Sequence, residues 1–241
     1  MKYMGSKSRI KKYILPILQE IIDKNNINTY VEPFCGGCNV IDDIICDNRI
    51  ANDKSAQLVE LMKHVKHGGE LPEEVPKELY DDVRNNKDTN KYPKWFVGAI
   101  GFLASYNGRY FDGGYAKTVT TKSGSIRNYY DEAKRNILQQ AKDLQGIKFK
   151  YGEYTQFSDV KNALIYCDIP YKDKKQYGTS KNFDYKAFWE WAEKMSENNI
   201  VIVSEEQAPE NFKCIWEQEV TRTQDNTKRF KATEKLFVLN K

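Results

Sequence analysis

The pattern of apolar and polar positions predicts alternating strands and helices along most of the chain. Short apolar runs between turn residues predict strands, at residues 29–34, 49–53, 146–154, 163–171 and 198–206. Apolar residues spaced by three and four predict helices at 8–24, 55–67 and 183–195, and Pro16 predicts a break or kink in the first. Residues 212–220 and 234–240 predict a closing hairpin. This alternation favours a mostly parallel α/β sheet that binds ligands at the carboxyl ends of its strands.

Residues 70–140 interrupt the alternation. They begin with charged helical segments and continue with Asn-Gly, Gly-Gly and Ser-Gly turns between short strand-like runs. We therefore predict an inserted subdomain over 70–140, within a core domain formed by residues 1–69 and 141–241.

The charge of the chain is unevenly distributed. The net charge is +4 over 241 residues, but residues 91–150 contain eleven Lys and Arg against four Asp and Glu, which leaves −3 for the remainder. The same stretch is rich in aromatic residues, namely Tyr92, Trp95, Phe96, Phe102, Tyr106, Tyr110, Phe111, Tyr115, Tyr129 and Tyr130. Basic and aromatic residues together suit a surface that neutralises phosphates and stacks on bases. An ordinary solvated face over an aromatic core is the alternative.

Other features of the composition concern the compartment. No apolar run approaches the roughly 20 residues of a membrane span, and the first residues lack the apolar stretch of a signal peptide. The five cysteines are scattered and odd in number, which does not indicate a disulfide framework. We expect a reduced, cytoplasmic protein with no membrane partner.

The stretch VEPFCGGCNV, residues 31–40, has two interpretations. Cys35 and Cys38 form a CxxC pair, which suggests a dithiol or, together with His64 and His67, a zinc site. The spacing of the two histidines is tighter than is usual for zinc, and small residues packed in a tight loop would account for both cysteines.

The second interpretation concerns the glycines. Gly36 and Gly37 would let backbone amides approach a ligand. Asp53 follows Gly36 by seventeen positions, at the end of the next predicted strand. An acidic residue there can accept the hydroxyl hydrogens of a ribose.

A third motif, Asp168-Ile169-Pro170-Tyr171, ends the strand that begins with ALIYC. A carboxylate, a fixed proline and an aromatic ring at this edge form a compact polar and stacking site. An Asx-Pro turn with a surface tyrosine is the structural alternative.

Taken together, five segments resemble the Dam-like DNA adenine methyltransferases in order and spacing. They are KYMGSK (2–7), VEPFCGGCNV (31–40), AND (51–53), SYNGRYF (105–111) and CDIPY (167–171). The resemblance covers essentially the whole chain. It implies a Rossmann-like methyltransferase sheet, with an inserted helical and β-hairpin subdomain that recognises the DNA target. It also implies S-adenosylmethionine as cofactor, double-stranded DNA as substrate, a bacterial or phage restriction-modification role beside a cognate nuclease, and a monomer or weak dimer.

The resemblance also implies roles for individual residues. The cofactor-binding residues would be Tyr3, Lys7, Phe34, Gly36, Gly37, Asp53 and Asp168, with Glu153 and Tyr154 as further candidates for the cofactor's adenine. The catalytic residues would be Asp168, Ile169, Pro170 and Tyr171, without a metal. The DNA-binding residues would be Tyr106, Asn107, Arg109 and Tyr110, at the start of a DNA-contacting hairpin. The family's downstream Asn-x-Pro-x-Gly pattern is absent, so base-reading residues are not carried over.

These residues suggest a mechanism. The target adenine must be flipped out of the duplex, and its amine is a poor nucleophile because the ring delocalises the lone pair. The Asp168 carboxylate and the Ile169 carbonyl would each accept an amine hydrogen, while Tyr171 stacks on the base. Ile169 replaces the family's second proline, but Pro170 keeps it extended. Three alternatives remain: a cytosine-amine methyltransferase, a catalytically silent DNA-binding homologue, and a zinc-dependent nucleic-acid-binding protein.

Overall fold

A computed structural model describes residues 1–121, 123–171, 182–223 and 229–240. Lys122, one of the basic residues counted above, lies outside these ranges. In chain order the strands are β1 (Thr29–Glu32), β2 (Asn48–Asp53), β3 (Val119–Thr120), β4 (Ile126–Arg127), β5 (Ile147–Tyr151), β6 (Leu164–Asp168), β7 (Ile200–Ser204), β8 (Phe212–Thr223) and β9 (Arg229–Leu239). The α-helices are α1 (Lys11–Lys24), α2 (Ala56–Lys66), α3 (Lys77–Asn85), α4 (Lys94–Gly98), α5 (Tyr129–Gln140) and α6 (Tyr185–Met195). Helical turns at Lys7–Arg9, Ala99–Leu103, Tyr106–Gly108 and Tyr154–Phe157 complete the described elements.

Seven strands form one sheet in the order β5-β2-β1-β6-β7-β9-β8. The first five of these pair in parallel, and β9 runs antiparallel to both of its neighbours. The predicted parallel sheet and closing hairpin are confirmed. Because β1, β2 and β6 are parallel neighbours, their carboxyl ends meet at one edge of the sheet. The reversed β9 departs from an all-parallel Rossmann order.

Helices cover both faces of this sheet. Successive residues of β1 point to opposite sides, so Tyr30 joins one buried cluster and Val31 joins the other. Apolar faces of α1, α2 and α5 belong to the cluster of Tyr30, and the apolar face of α6 belongs to the cluster of Val31. Burial on both faces explains why the parallel strands are nearly continuous apolar runs.

Pro16 lies inside α1 and does not break it. A proline in a helix interior costs about 3 kcal/mol. Against this cost, α1 buries Ile14, Leu18 and Ile22 against the core, and each buried side chain contributes about 1.5–3 kcal/mol. The predicted break was wrong because tertiary packing outweighs the local preference.

The helices of residues 70–140 share the core of the sheet. Buried side chains from this stretch, such as Tyr80, Ile100 and Ile137, belong to the same cluster as Ile14 and Leu61. The hairpin of β3 and β4 lies at the surface, where Ile126 is 78% exposed. The domain boundaries given above stay a prediction. Among the described helices, none is long and apolar enough to cross a membrane.

Candidate active site

The glycine loop after β1 is built around Tyr3. Gly36 has a φ of +47°, and a Cβ atom at Gly36 would lie 2.7 Å from Cε1 of Tyr3. A Cβ at Gly37 would lie 2.9 Å from the Cβ of Tyr3. The loop therefore needs glycine both for its backbone conformation and for its contact with the Tyr3 ring. Burial raises the pKa of Tyr3 well above its usual value, and the nearby carboxylate of Asp53 raises it further.

Asp53 joins the end of β2 to this loop. Its Oδ2 accepts a hydrogen bond from the Gly36 N–H at 3.1 Å, and its Oδ1 accepts one from the Ser55 N–H at 2.8 Å. Burial raises the pKa of Asp53, although these backbone donors act in the opposite direction. Ser55 in turn caps α2 by accepting from the Leu58 N–H. Asp53 therefore links the end of β2 to the loop that follows β1.

Asn52 and Gln140 also hold the loop, and the sequence did not identify either. The Asn52 amide is fully buried and donates to the carbonyls of Pro33, at 2.9 Å, and Gly152, at 3.0 Å. Gln140, from the end of α5, donates to the carbonyl of Gly37 at 3.0 Å. A polar side chain fully buried beside two loops is a feature that only the folded chain reveals.

The Asp168 loop is held by a buried lysine. Lys7, in the turn before α1, places its Nζ 2.8 Å from Oδ1 of Asp168 and 3.4 Å from Oε2 of Glu234. The same ammonium donates to the hydroxyl of Tyr171 at 2.6 Å. The Tyr171 hydroxyl donates to Glu234 at 2.5 Å and lies 3.1 Å from Oγ of Ser204. Lys7 and Glu234 are buried.

This network keeps Lys7 charged. Burial by itself lowers the pKa of Lys7, but Asp168, then Tyr171, Tyr166 and Glu234, raise it well above its usual value. Burial also raises the pKa of Tyr171. Lys7 is therefore a fixed cation between two carboxylates at neutral pH.

The rest of the motif is anchored as well. Ile169 is buried, and the carbonyl of Pro170 accepts a hydrogen bond from the Tyr185 hydroxyl at 2.8 Å. The Nζ atom of Lys7 lies 4.4 Å from the centre of the Tyr171 ring. Tyr171 is thus tied down at its hydroxyl and packed beside a cation.

Phe34 lies on the other side of the glycine loop. Its ring centre is 5.5 Å from that of Tyr154 and 5.8 Å from those of Phe183 and Phe188. Glu153, next to Tyr154, forms an exposed ion pair with Lys54 at 2.6 Å. These contacts place Phe34 and Tyr154 in one aromatic cluster near the ends of β1 and β5.

The two cysteines pack under the glycine loop. Both are buried, and both Sγ atoms lie within 3.9 Å of the Gly36 carbonyl. A hydrogen bond with Cys38, followed by burial, raises the pKa of the Cys35 thiol well above its usual value. His64 instead stacks on Trp95, with ring centres 3.7 Å apart. In the part of the chain that the structure describes, no group of three or more His, Cys, Asp or Glu side chains is arranged to hold a metal.

The predicted DNA-binding residues lie in a turn and not at the tip of a hairpin. Tyr106–Gly108 forms a helical turn, and the loop is closed by an isolated bridge between Ser105 and Tyr115. The hairpin is the later one, β3 with β4. The expected start of a hairpin is therefore a turn, and the role of these residues in DNA binding stays a prediction. The Asn-Gly pair adopts positive φ at both residues in order to close a turn, which is what the local sequence specifies.

This turn packs against the N-terminal segment. A Cβ at Gly108 would lie 2.4 Å from the carbonyl oxygen of Lys2. Asn107 is exposed, whereas Arg109 and Tyr110 are half-buried. The Tyr110 hydroxyl is buried, and burial raises its pKa. Of the four predicted residues, Tyr106 and Asn107 are the more accessible.

A basic and aromatic cluster that the sequence did not identify surrounds Tyr129. The Tyr106 ring meets it edge to face at 5.7 Å, the Arg127 guanidinium lies 4.8 Å from its centre, and Lys2 Nζ lies 5.7 Å from it. The cluster joins the N-terminal segment, the turn and the base of the β3–β4 hairpin at one surface.

The sheet and its strand ends define the class of protein. A mostly parallel seven-stranded sheet with helices on both faces is a Rossmann-like α/β fold. The chain belongs to the D12 class N6 adenine-specific DNA methyltransferases, whose family model matches residues 3–207. The resemblance recognised in the sequence is thus confirmed.

The individual relatives share only a quarter or less of their aligned residues with this chain. The chain is 25% identical over 200 residues to the type II methyltransferase M.MjaIII of Methanocaldococcus jannaschii, a match that covers 71% of this chain and 68% of the relative. It is 24% identical over 191 residues to the modification methylase StsI of Streptococcus sanguinis, covering 71% of this chain but only 28% of that protein. The solved structure of SMU.472, described as a methyltransferase in complex with SAH, aligns with a TM-score of 0.33 at 12% identity, over 92% of this chain and 51% of that chain.

Proposed function

We propose that this protein transfers a methyl group from S-adenosylmethionine to the exocyclic amine of adenine in double-stranded DNA. The observation that carries the proposal is the arrangement of the strand ends. The glycine loop after β1 lies between Asp53, at the end of β2, and Asp168, at the end of β6. Two features favour adenine over cytosine as the target base. The chain belongs to an adenine-specific family, and its motif starts with Asp168, where cytosine-amine methyltransferases usually have a serine.

The residues at this edge fit S-adenosylmethionine. Gly36 and Gly37 have no Cβ atoms, so their backbone is accessible to a ligand, and the Tyr3 side chain packs directly against them. Asp53 uses acceptor sites for two backbone N–H groups, and a carboxylate offers about four, so acceptor capacity remains for ribose hydroxyls. Phe34 and Tyr154 present aromatic rings on the β5 side, where the adenine of the cofactor would pack. When bound, the cofactor supplies an electrophilic methyl group on a cationic sulfur.

Asp168 and Ile169 act on the amine of the flipped base. Asp168 would accept one amine hydrogen through its carboxylate, and Ile169 would accept the other through its backbone carbonyl. The amine lone pair would then be localised on the nitrogen and directed toward the methyl group, instead of being delocalised into the ring. Pro170 keeps the Ile169 carbonyl directed at the amine, and the carbonyl of Pro170 itself accepts a hydrogen bond from Tyr185. Tyr171 would contact the base with its ring while its hydroxyl stays bound to Lys7 and Glu234.

Lys7 serves the Asp168 carboxylate and does not transfer a proton. Because its pKa lies well above the usual value, it remains an ammonium throughout the physiological range. Its ion pair with Oδ1 of Asp168 orients the carboxylate. The reacting groups are thus positioned before the substrates bind, which is the main contribution of such sites to rate.

The DNA would lie across the part of residues 70–140 that falls within the basic stretch 91–150. The net charge of +7 in residues 91–150 favours contact with phosphates. Tyr106 and Asn107, together with the cluster around Tyr129, are accessible at this surface, and Arg109 and Tyr110 are half-buried beside them. The names of the relatives, a type II methyltransferase and a modification methylase, favour a modification role. A cognate nuclease, and action as a monomer or weak dimer, are further parts of the proposal.

The experiment uses S-adenosylmethionine with a labelled methyl group and duplex DNA of random sequence. Label recovered as N6-methyladenine supports the proposal, whereas label recovered as a methylated cytosine supports the cytosine alternative. Cofactor and DNA binding without transfer would show a catalytically silent homologue. Stoichiometric zinc by elemental analysis would support the zinc-dependent alternative. Sequencing the methylated DNA would give the target site.

A further inference from the structure

One buried carboxylate of the site comes from a strand outside the predicted motifs. Glu234 belongs to β9, the reversed strand, and pairs with Gln218 of β8, while Leu236 two positions on pairs with Ser204 of β7. Only 6% of Glu234 is exposed. Because residues two apart on a strand share a face, Glu234 lies on the same side of the sheet as the fully buried Leu236.

A buried carboxylate is costly unless polar partners satisfy it. Glu234 accepts the hydroxyl hydrogen of Tyr171 at 2.5 Å and forms an ion pair with Lys7 at 3.4 Å. Both partners belong to the machinery proposed above. Lys7 holds the first residue of the Asp168 motif at 2.8 Å, and Tyr171 is the last residue of that motif.

Glu234 therefore contacts both groups that set the position of the motif. Its ion pair with Lys7 links it indirectly to Asp168, and it accepts a hydrogen bond directly from the Tyr171 hydroxyl. Ser204, from the end of β7, adds a contact to the same hydroxyl at 3.1 Å. The consequence is that the reversed strand holds both ends of the Asp168 motif through buried contacts.

We propose that Glu234 is a positioning residue for methyl transfer, which holds Lys7 and Tyr171 so that the Asp168 carboxylate and the Ile169 carbonyl face the amine. This inference rests on the function proposed above. Glu234 is buried beneath the loop, so its loss should leave the binding of cofactor and DNA nearly unchanged. Misplacement of reacting groups by about 1 Å can cost on the order of 100-fold in rate, so the loss should appear in kcat.

The test compares Glu234→Gln and Glu234→Ala with the wild-type protein under single-turnover and steady-state conditions. Glu234→Gln keeps an oxygen that can accept the Tyr171 hydroxyl but removes the charge that faces Lys7. We expect Glu234→Ala to lower kcat by about 10- to 100-fold, and Glu234→Gln to lower it less. The KM values for cofactor and DNA should stay within about threefold of wild type, since only positioning is lost.

A double-mutant cycle with Tyr171→Phe examines the contact itself. If Glu234 acts through the Tyr171 hydroxyl, Glu234→Ala combined with Tyr171→Phe should lose little more than the worse single variant, because Glu234→Ala removes the acceptor of that hydroxyl. The matched control is Glu217→Gln, on the neighbouring strand, where an exposed carboxylate pairs with Lys235 at 3.8 Å. This control should retain the wild-type kcat. Circular dichroism and thermal unfolding would identify a variant that fails to fold, in which case Glu234→Gln carries the test.

The possible failures can be separated. If the wild-type protein transfers no methyl group to DNA, the proposed function is wrong and this inference falls with it. If the wild type is active while folded Glu234→Ala or Glu234→Gln keeps its full kcat, only the role of Glu234 is wrong. Raised KM values with unchanged kcat, or strictly additive losses in the cycle, would likewise overturn it.

Discussion

The Nζ atom of Lys7 lies 2.8 Å from Oδ1 of Asp168, although the two residues are 161 positions apart in the chain. Lys7 lies in a turn before α1, and Asp168 is the last residue of β6. Lys7 is buried and keeps its charge. Removing one partner of a buried ion pair typically costs about 3–5 kcal/mol. Substitutions at this pair should therefore preserve side-chain volume, so that effects on catalysis can be separated from effects on folding.

The first prediction concerns Asp168→Asn. The amide keeps the volume of the side chain but loses the charge that pairs with Lys7 and accepts the amine hydrogen. We expect methyl transfer to fall by more than about 100-fold, a loss typical of a removed electrostatic group, while circular dichroism shows an intact fold.

The control for Asp168→Asn is Asp43→Asn, which breaks an ion pair of similar length with Lys11, at 2.7 Å, outside the motif. It should keep its activity. Near-normal turnover in Asp168→Asn would contradict the proposed mechanism.

The second prediction concerns Arg109 and the basic surface. Arg109→Ala should weaken DNA binding by about 1–3 kcal/mol if the guanidinium reads a base, and should relax specificity at one position of the target. Filter binding over a range of salt concentrations measures the affinity. Binding by the wild type should decline steeply with salt, because neutralised phosphates release counterions.

Cofactor affinity serves as the internal control for Arg109→Ala and should barely change. Lys186→Ala, which removes an exposed charge from α6 on the other face of the sheet, should leave DNA binding unaltered. Equal losses of cofactor and DNA affinity in Arg109→Ala would show that the turn supports the cofactor site and not the DNA surface.

The third prediction concerns the cysteine pair. Cys35 and Cys38 are buried beneath the glycine loop, and their sulfur atoms lie close to the Gly36 carbonyl. If they only fill space, the double Cys→Ala variant should bind S-adenosylmethionine within about tenfold of wild type, with a loss of stability from the cavity. Zinc that copurifies with the wild type and is lost from the double variant would reverse this interpretation.

The fourth prediction concerns pH and Glu32, a buried carboxyl at the end of β1. Burial raises its pKa well above the usual value, although the hydroxyl of Tyr30, which donates to it at 2.8 Å, acts in the opposite direction. The folded protein therefore holds this proton more tightly than the unfolded chain. The free energy of unfolding should fall as pH rises above the unfolded value of about 4.3, by at most about 1.4 kcal/mol per pH unit.

Glu32→Gln removes this titration. Urea unfolding of wild type and variant between about pH 4.5 and pH 8 should show the wild type losing stability relative to the variant as pH rises. Other titrating groups cancel in the difference. Parallel curves would mean that Glu32 has the same pKa in the folded and unfolded states.

Local sequence patterns were enough to predict the sheet, most of its helices and the motifs at the strand ends. Apolar runs such as that of β6 specify buried strands, and helical spacing specifies α2 and α6, because these patterns depend on neighbours along the chain. The segments around Gly36, Asp53 and Asp168 were recognisable for the same reason. Each is a short motif at a strand end, and the topology of a parallel sheet brings such ends together.

The side chains that complete the site from distant parts of the chain could not be predicted from local patterns. Glu234, Asn52 and Gln140 are polar residues whose partners lie on other strands or loops, and local periodicity carries no record of such contacts. The one local sign was Glu234 on the inward face of an apolar strand, two positions before Leu236. The helix through Pro16 was likewise settled by packing, because burial against distant residues outweighs a local cost of about 3 kcal/mol.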